Sequence, residues 1–89
     1  MKTEILIHGQ INGNNRLLRA ISTYDSIKKD IGFNNYSLEF PTKKQAKKAL
    51  WEGWKYLKQG EPEYVRKDDY SKHGILRYDA SVAKIKDKD

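Results

Sequence analysis

The chain has 89 residues, the size of one small domain, and 18 Lys and Arg against 12 Asp and Glu give it a net charge of +6. The absence of Cys excludes disulfide scaffolds, iron–sulfur clusters and Cys-ligated zinc, and it fits a reducing cytoplasm, the expected location. The longest apolar run near the N-terminus, Ile5-Leu6-Ile7, falls far short of the roughly 20 residues of a membrane span or the about 7–15 of a signal-peptide core.

Residues Glu4 to Ile11 read as a strand, with Ile5, Ile7 and Ile11 on one face and Leu6, His8 and Gln10 on the other. Asn12-Gly13 follows, a dipeptide suited to a two-residue hairpin turn because both positions tolerate positive φ. A second strand then runs through Arg16-Leu17-Leu18-Arg19-Ala20-Ile21, and a short helix starts at Ser22 or Thr23 and stops at Gly32. The alternative is one long helix from Asn15 to Ile31, because Leu17, Ala20, Ile21, Tyr24, Ile27 and Ile31 form a helical stripe. Ser22-Thr23-Tyr24-Asp25-Ser26 would then lie mid-helix, where hydroxyl and Asp side chains compete for the backbone. That competition favours hairpin plus short helix.

Tyr36 to Phe40 alternates as a strand, ended by Pro41. Thr42 and Gln45 form a capping box, opening a helix from Lys43 to Gln59 that stops at Gly60 with Pro62 beyond. Residues 61–73 are polar and read as a loop; Ile75 to Ile85 reads as the last strand, with Leu76, Tyr78, Ala80 and Val82 on one face. The closing Lys86-Asp87-Lys88-Asp89 is expected to fray. The expected fold is a single α+β domain over residues 1–89, a mixed four-stranded sheet with two helices on one side in the order β-β-α-β-α-β.

The distribution of charge on the 43–59 helix is the anomaly. At roughly 100° per residue, Ala46, Ala49, Leu50, Gly53, Trp54, Tyr56 and Leu57 cover an apolar arc that must face the sheet. Lys44, Lys47, Lys48, Lys55 and Lys58 share another arc with Trp51 in its middle and Lys43 at its edge. Six Lys and the single Glu52 give this helix +5, so the rest of the chain contributes only +1. Four of those Lys crowd the N-terminal half, against the helix dipole, and Lys43/Lys47 and Lys44/Lys48 repel at four-residue spacing.

Lysines at this density would neutralise phosphates, while Trp51 would stack on an unpaired base or lie along a sugar. The plainer alternative is a solvated face, with Trp51 covered by lysine stems or by the acidic 61–73 loop. A third is a protein interface or homodimer centred on Trp51 and drawn to an acidic partner.

Other chemistry finds little support. Asp68, Asp69 and His73 match no known metal-site spacing, His8 sits on a strand, and Ser71-Lys72-His73 and Ser81 near Asp79 are chance neighbours. Gly9, Gly13 and Gly32 form no phosphate-cradling run. A non-enzymatic accessory protein without cofactor or metal is expected, monomeric or homodimeric and not membrane-bound.

The stretch Tyr36-Ser37-Leu38-Glu39-Phe40-Pro41-Thr42-Lys43-Lys44-Gln45-Ala46 resembles the strand-into-helix step of the small DNA-binding domains at the start of phage integrases. It covers about an eighth of the chain. Those domains place three strands before their helix, whereas this chain is expected to interpose a helix and add a strand. The aromatic strand motifs of RNA-recognition domains are absent, and no family is assigned.

Overall fold

The computed structural model describes residues 2–9, 16–22, 26–32, 35–66 and 74–88. Their elements run β1 (Lys2–His8), α1 (Arg16–Ile21), β2 (Ile27–Gly32), β3 (Asn35–Phe40), α2 (Lys43–Gly60), a 3-10 turn (Pro62–Tyr64), β4 (Val65–Arg66), β5 (Ile75–Tyr78) and β6 (Ser81–Lys88). The six strands form one sheet in the order β2-β3-β1-β6-β5-β4, with every pair antiparallel. The α+β class and the two helices agree with the sequence reading. The mixed four-stranded sheet does not.

Alternation sets which side of the sheet is covered. In the β3-β1-β6 centre, Ile5 lies opposite Leu38 and Ile85, and Ile7 opposite Tyr36 and Ala83. Leu76 and Tyr78 of β5 extend this inner face opposite Ala83 and Ser81. Against it pack Leu17, Leu18 and Ile21 of α1 and Ala46, Ala49, Leu50, Trp54 and Leu57 of α2, in one core cluster. The other side of the sheet carries Glu4, Leu6, His8, Ser37 and Glu39, Lys84 and Lys86, and Arg66 opposite Arg77. Glu4 there accepts a hydrogen bond from the Ser37 hydroxyl at 2.7 Å.

Residues 16–21 are a helix and 27–32 a strand, the reverse of the sequence expectation. Leu17, Leu18 and Ile21 are all buried, and the helical stripe of the long-helix alternative is genuine over this one stretch. Ser22 ends α1 instead of starting a helix: its amide and hydroxyl both donate to the Leu18 carbonyl, at 2.9 and 2.7 Å. The second half of the stripe is misleading, because Ile27 and Ile31 are exposed on an edge strand. Gly32, expected to stop a helix, sits at φ +90° where the β2–β3 register shifts. The expected Asn12-Gly13 turn lies outside the described residues.

The last expected strand is two strands. Asp79, at φ +55°, starts a tight turn that brings Ser81 opposite Tyr78. Asp tolerates this left-handed region better than most residues. The turn resets the alternation, so Ala80 is exposed in the turn and Ala83 replaces Val82 on the inner face. Residues 61–66, read as loop, hold the 3-10 turn and β4, whose Val65 pairs with Tyr78.

The α2 helix forms as its sequence requires. Thr42 adopts extended φ −139°, ψ 156°, and its hydroxyl oxygen accepts from the Gln45 amide at 3.2 Å. The Gln45 side chain meets the Thr42 hydroxyl at 3.0 Å, where the expected box has it on the backbone amide. Gly60 is the last helical residue, and the Glu61 amide closes the end by donating to Leu57 O at 2.9 Å.

Candidate functional site

The six proposed site residues, Lys44, Lys47, Lys48, Trp51, Lys55 and Lys58, are all exposed on α2, as is Lys43. Their common outward face follows from burial of Ala46, Ala49, Leu50, Gly53, Trp54 and Leu57 on the opposite arc. Tyr56 departs from the expected apolar arc: it is 57% exposed, on the flank away from the lysines. Its offset from the buried centre of the arc is about a quarter turn at 100° per residue, enough to leave the core.

Trp51 has a specific setting. Its ring stacks on that of Trp54, with centroids 4.9 Å apart and planes 17° from parallel. Trp54 is 9% exposed and belongs to the core cluster, whereas Trp51 is 39% exposed. The stack therefore runs from the core into solvent. Lys55 Nζ lies 5.6 Å from the Trp51 centroid and Lys58 Nζ lies 4.6 Å from that of Trp54. Each cation lies within the range where the ring quadrupole attracts it. Lys55 also meets Glu52 at 3.3 Å, an exposed pair of small energetic weight.

The acidic residues offered by the 61–73 segment do not all serve as a cover. Glu61 is engaged elsewhere: one carboxylate oxygen accepts from Arg16 and the other from the Tyr78 hydroxyl. The Arg16 guanidinium also lies 5.9 Å from the Tyr78 ring centroid. This trio clasps the start of α1, the end of α2 and β5. Burial, followed by the hydrogen bond to Glu61, pushes the Tyr78 phenol up from 10.0 to about 12. Asp68 and Asp69 lie outside the described residues, as do Ser71, Lys72 and His73.

A second cationic set was not visible in the sequence. The sheet face away from the two helices carries Lys29, Arg66, Arg77, Lys84 and Lys86 by alternation, with Lys2 reaching Glu39 at 3.3 Å. Arg66 and Arg77 are direct cross-strand neighbours, a like-charge placement that costs sheet stability. Strand register alone brings these residues together: it needs 27–32 as a strand, 65–66 paired with β5, and the turn at Asp79 that sets β6 on β5.

Of the remaining candidates, His8 is exposed on β1 with Nδ1 2.5 Å from Asn35 Oδ1. Ser81 is buried and the nearby Asp79 shapes the β5–β6 turn. Among the described residues no three His, Cys, Asp or Glu side chains form a group able to hold a metal ion. No described helix is long and apolar enough to cross a membrane. No protein-family model matches the chain, and neither a curated protein nor a solved structure matches it.

Proposed function

We propose that the protein is a non-enzymatic nucleic-acid-binding module whose contact surface is the α2 face of Lys44, Lys47, Lys48, Trp51, Lys55 and Lys58. The observation that carries this reading is the half-exposed Trp51 ring, held against buried Trp54 and set among exposed lysines. A base added to this stack would have an indole platform already ordered by the core. The surrounding ammonium groups would lie where the flanking phosphates run. Lys55 would move from its position near the Trp51 ring to a phosphate, exchanging one electrostatic contact for a stronger one.

The decisive experiment is tryptophan fluorescence during titration with single-stranded and duplex oligonucleotides at two salt concentrations. Binding to a single strand is expected to quench Trp51 and to weaken steeply with salt, by a log–log slope of about −0.7 per phosphate contact. Replacing Lys48 with Ala should reduce that slope by about one contact's share. No response to either oligonucleotide at low salt would end this reading.

The same half-exposed indole supports a second reading, an interface for an acidic protein partner or a homodimer through α2. Light scattering over a concentration series with wild type and Trp51→Ala separates it. A Trp51-dependent dimer with no oligonucleotide response would favour the second reading.

A further inference from the structure

We infer that β2 is a pairing edge for a second copy of this chain, giving a two-fold homodimer in which the sheets of two protomers join through Ile27–Ile31. The starting point is the sheet order. It leaves β2 and β4 at the ends, and β4 has two described residues against six in β2. Among the described residues, nothing pairs with the outer side of β2. An edge of this length presents a row of backbone donors and acceptors that can accept another strand.

The side chains of β2 specify which strand. Pairing with β3 puts Lys28 opposite Leu38 and Asp30 opposite Tyr36, on the helix side of the sheet. Lys29 lies opposite Ser37 and Ile27 opposite Glu39, on the other side. All of 27–31 are exposed, Ile27 at 67% and Ile31 at 50%. The segment Ile27-Lys28-Lys29-Asp30-Ile31 is self-complementary when laid antiparallel on itself about Lys29. Each Lys28 then faces the partner's Asp30, and each Ile27 reaches the partner's Ile31, which sits at the irregularity between Asp30 and Gly32 and has no partner on β3. Two ion pairs and two apolar pairs result, and the only like-charge meeting is Lys29 with its own copy. Long lysine stems can splay that pair into solvent.

Parity fixes the symmetry as well. Opposite residues of an antiparallel pair share a face, and this register matches residues whose numbers differ by an even count. The two-fold axis therefore stands perpendicular to the sheet, with both pairs of helices on the same side. Alternatives fare worse: a two-residue shift that pairs Lys28 with its own copy, or Asp30 with its own copy, loses the Lys28–Asp30 pairs. Charge and apolar complementarity thus select both the partner and its register. The inference does not depend on the nucleic-acid reading, because β2 shares no residue with the α2 face.

Sedimentation velocity on the whole chain tests it, and a small interface of this kind should show weak self-association across about 10 μM to 1 mM. Lys28→Asp and Asp30→Lys each place like charges opposite one another in the dimer, so each alone should sediment as a monomer. Mixed in equal amounts they should associate again. One chain then carries a carboxylate at both positions and the other an ammonium at both, so opposite charges meet on both sides of the axis. Asp30 also accepts the Gly32 amide at 2.8 Å, so circular dichroism must verify that its variant is folded. Should it not be, Ile27→Lys serves instead, an exposed site whose change should abolish association. Wild type that remains monomeric throughout would overturn the proposal, as would association unaffected by Lys28→Asp or Ile27→Lys. Failure of the two folded single variants to associate on mixing would overturn the register.

Discussion

The Trp51 indole lies 4.9 Å from that of Trp54 in a near-parallel stack, one ring in the core and its neighbour partly in water. One turn of helix thus converts buried packing into an ordered surface aromatic. The two rings should respond very differently to truncation. Trp54→Ala removes a core side chain and should cost about 3–5 kcal/mol of unfolding free energy. Trp51→Ala loses the aromatic contact and partial burial, about 0.5–1.5 kcal/mol. Urea denaturation of both variants measures the difference. Only Trp51→Ala should weaken single-strand binding while leaving the melting behaviour close to wild type.

The clasp of Arg16, Glu61 and Tyr78 makes a separate prediction about alkaline pH. The folded phenol titrates at about 12 against 10.0 when exposed. A raised folded pKa means the contribution is intact below pH 10 and is lost as pH rises towards 12. Two pH units correspond to at most about 3 kcal/mol. Tyr78→Phe should cost about 1.5–3 kcal/mol at neutral pH, the worth of a hydrogen bond to a carboxylate. It should also flatten the alkaline fall in stability. Denaturation at about pH 7, 10 and 11.5 checks both, and ultraviolet titration of the variant should lack the late Tyr78 transition of wild type.

At the α1–α2 crossing, Gly53 permits a close approach. A Cβ there would lie 2.9 Å from Ile21 Cγ1 and 3.2 Å from the Ala20 carbonyl oxygen. The methylene can shift, but the backbone oxygen cannot without moving α1. Gly→Ala would normally gain about 1 kcal/mol of helix propensity. Overpacking of about 1–3 kcal/mol should outweigh it, so Gly53→Ala should lower Tm instead of raising it. A raised Tm would mean that α1 yields freely at this contact.

The lysine–tryptophan face of α2 was more legible in the sequence than the sheet, for a local reason. A lysine face on a helix depends only on the 3.6-residue period, and Thr42, Gln45 and the buried stripe from Ala46 to Leu57 define that helix without tertiary help. β1 and β3 were likewise legible, through alternation at Ile5/Ile7 and Tyr36/Leu38/Phe40. Residues 16–31 were not. Apolar residues four apart, as at Ile27 and Ile31, fit one turn of helix and an exposed edge strand equally well. Burial decides between them, and burial is set by the sheet. The Asp79 turn was hidden because a positive φ at a non-glycine residue leaves no period to read. The cationic outer face of the sheet depends on both and could only follow from the register.

The placement of charge on α2 offers the sharpest contrast between stability and function. The first turn contains no acidic residue, and Lys44 occupies its second position beyond the Thr42 cap. Ammonium groups there oppose the helix dipole and repel the lysines one turn on. Lys44→Glu reverses both effects: it complements the dipole and adds an attractive pairing towards Lys48. Being exposed, the site should accept the change without repacking. Stability should therefore rise by about 0.5–1 kcal/mol in thermal or urea unfolding. Affinity for a single-stranded oligonucleotide should nevertheless fall, with the salt dependence shallower than in wild type, because a phosphate contact becomes a repulsion. A more stable protein that binds less well is the expected signature of lysines retained for a ligand. Higher stability with unchanged binding would remove Lys44 from the contact surface.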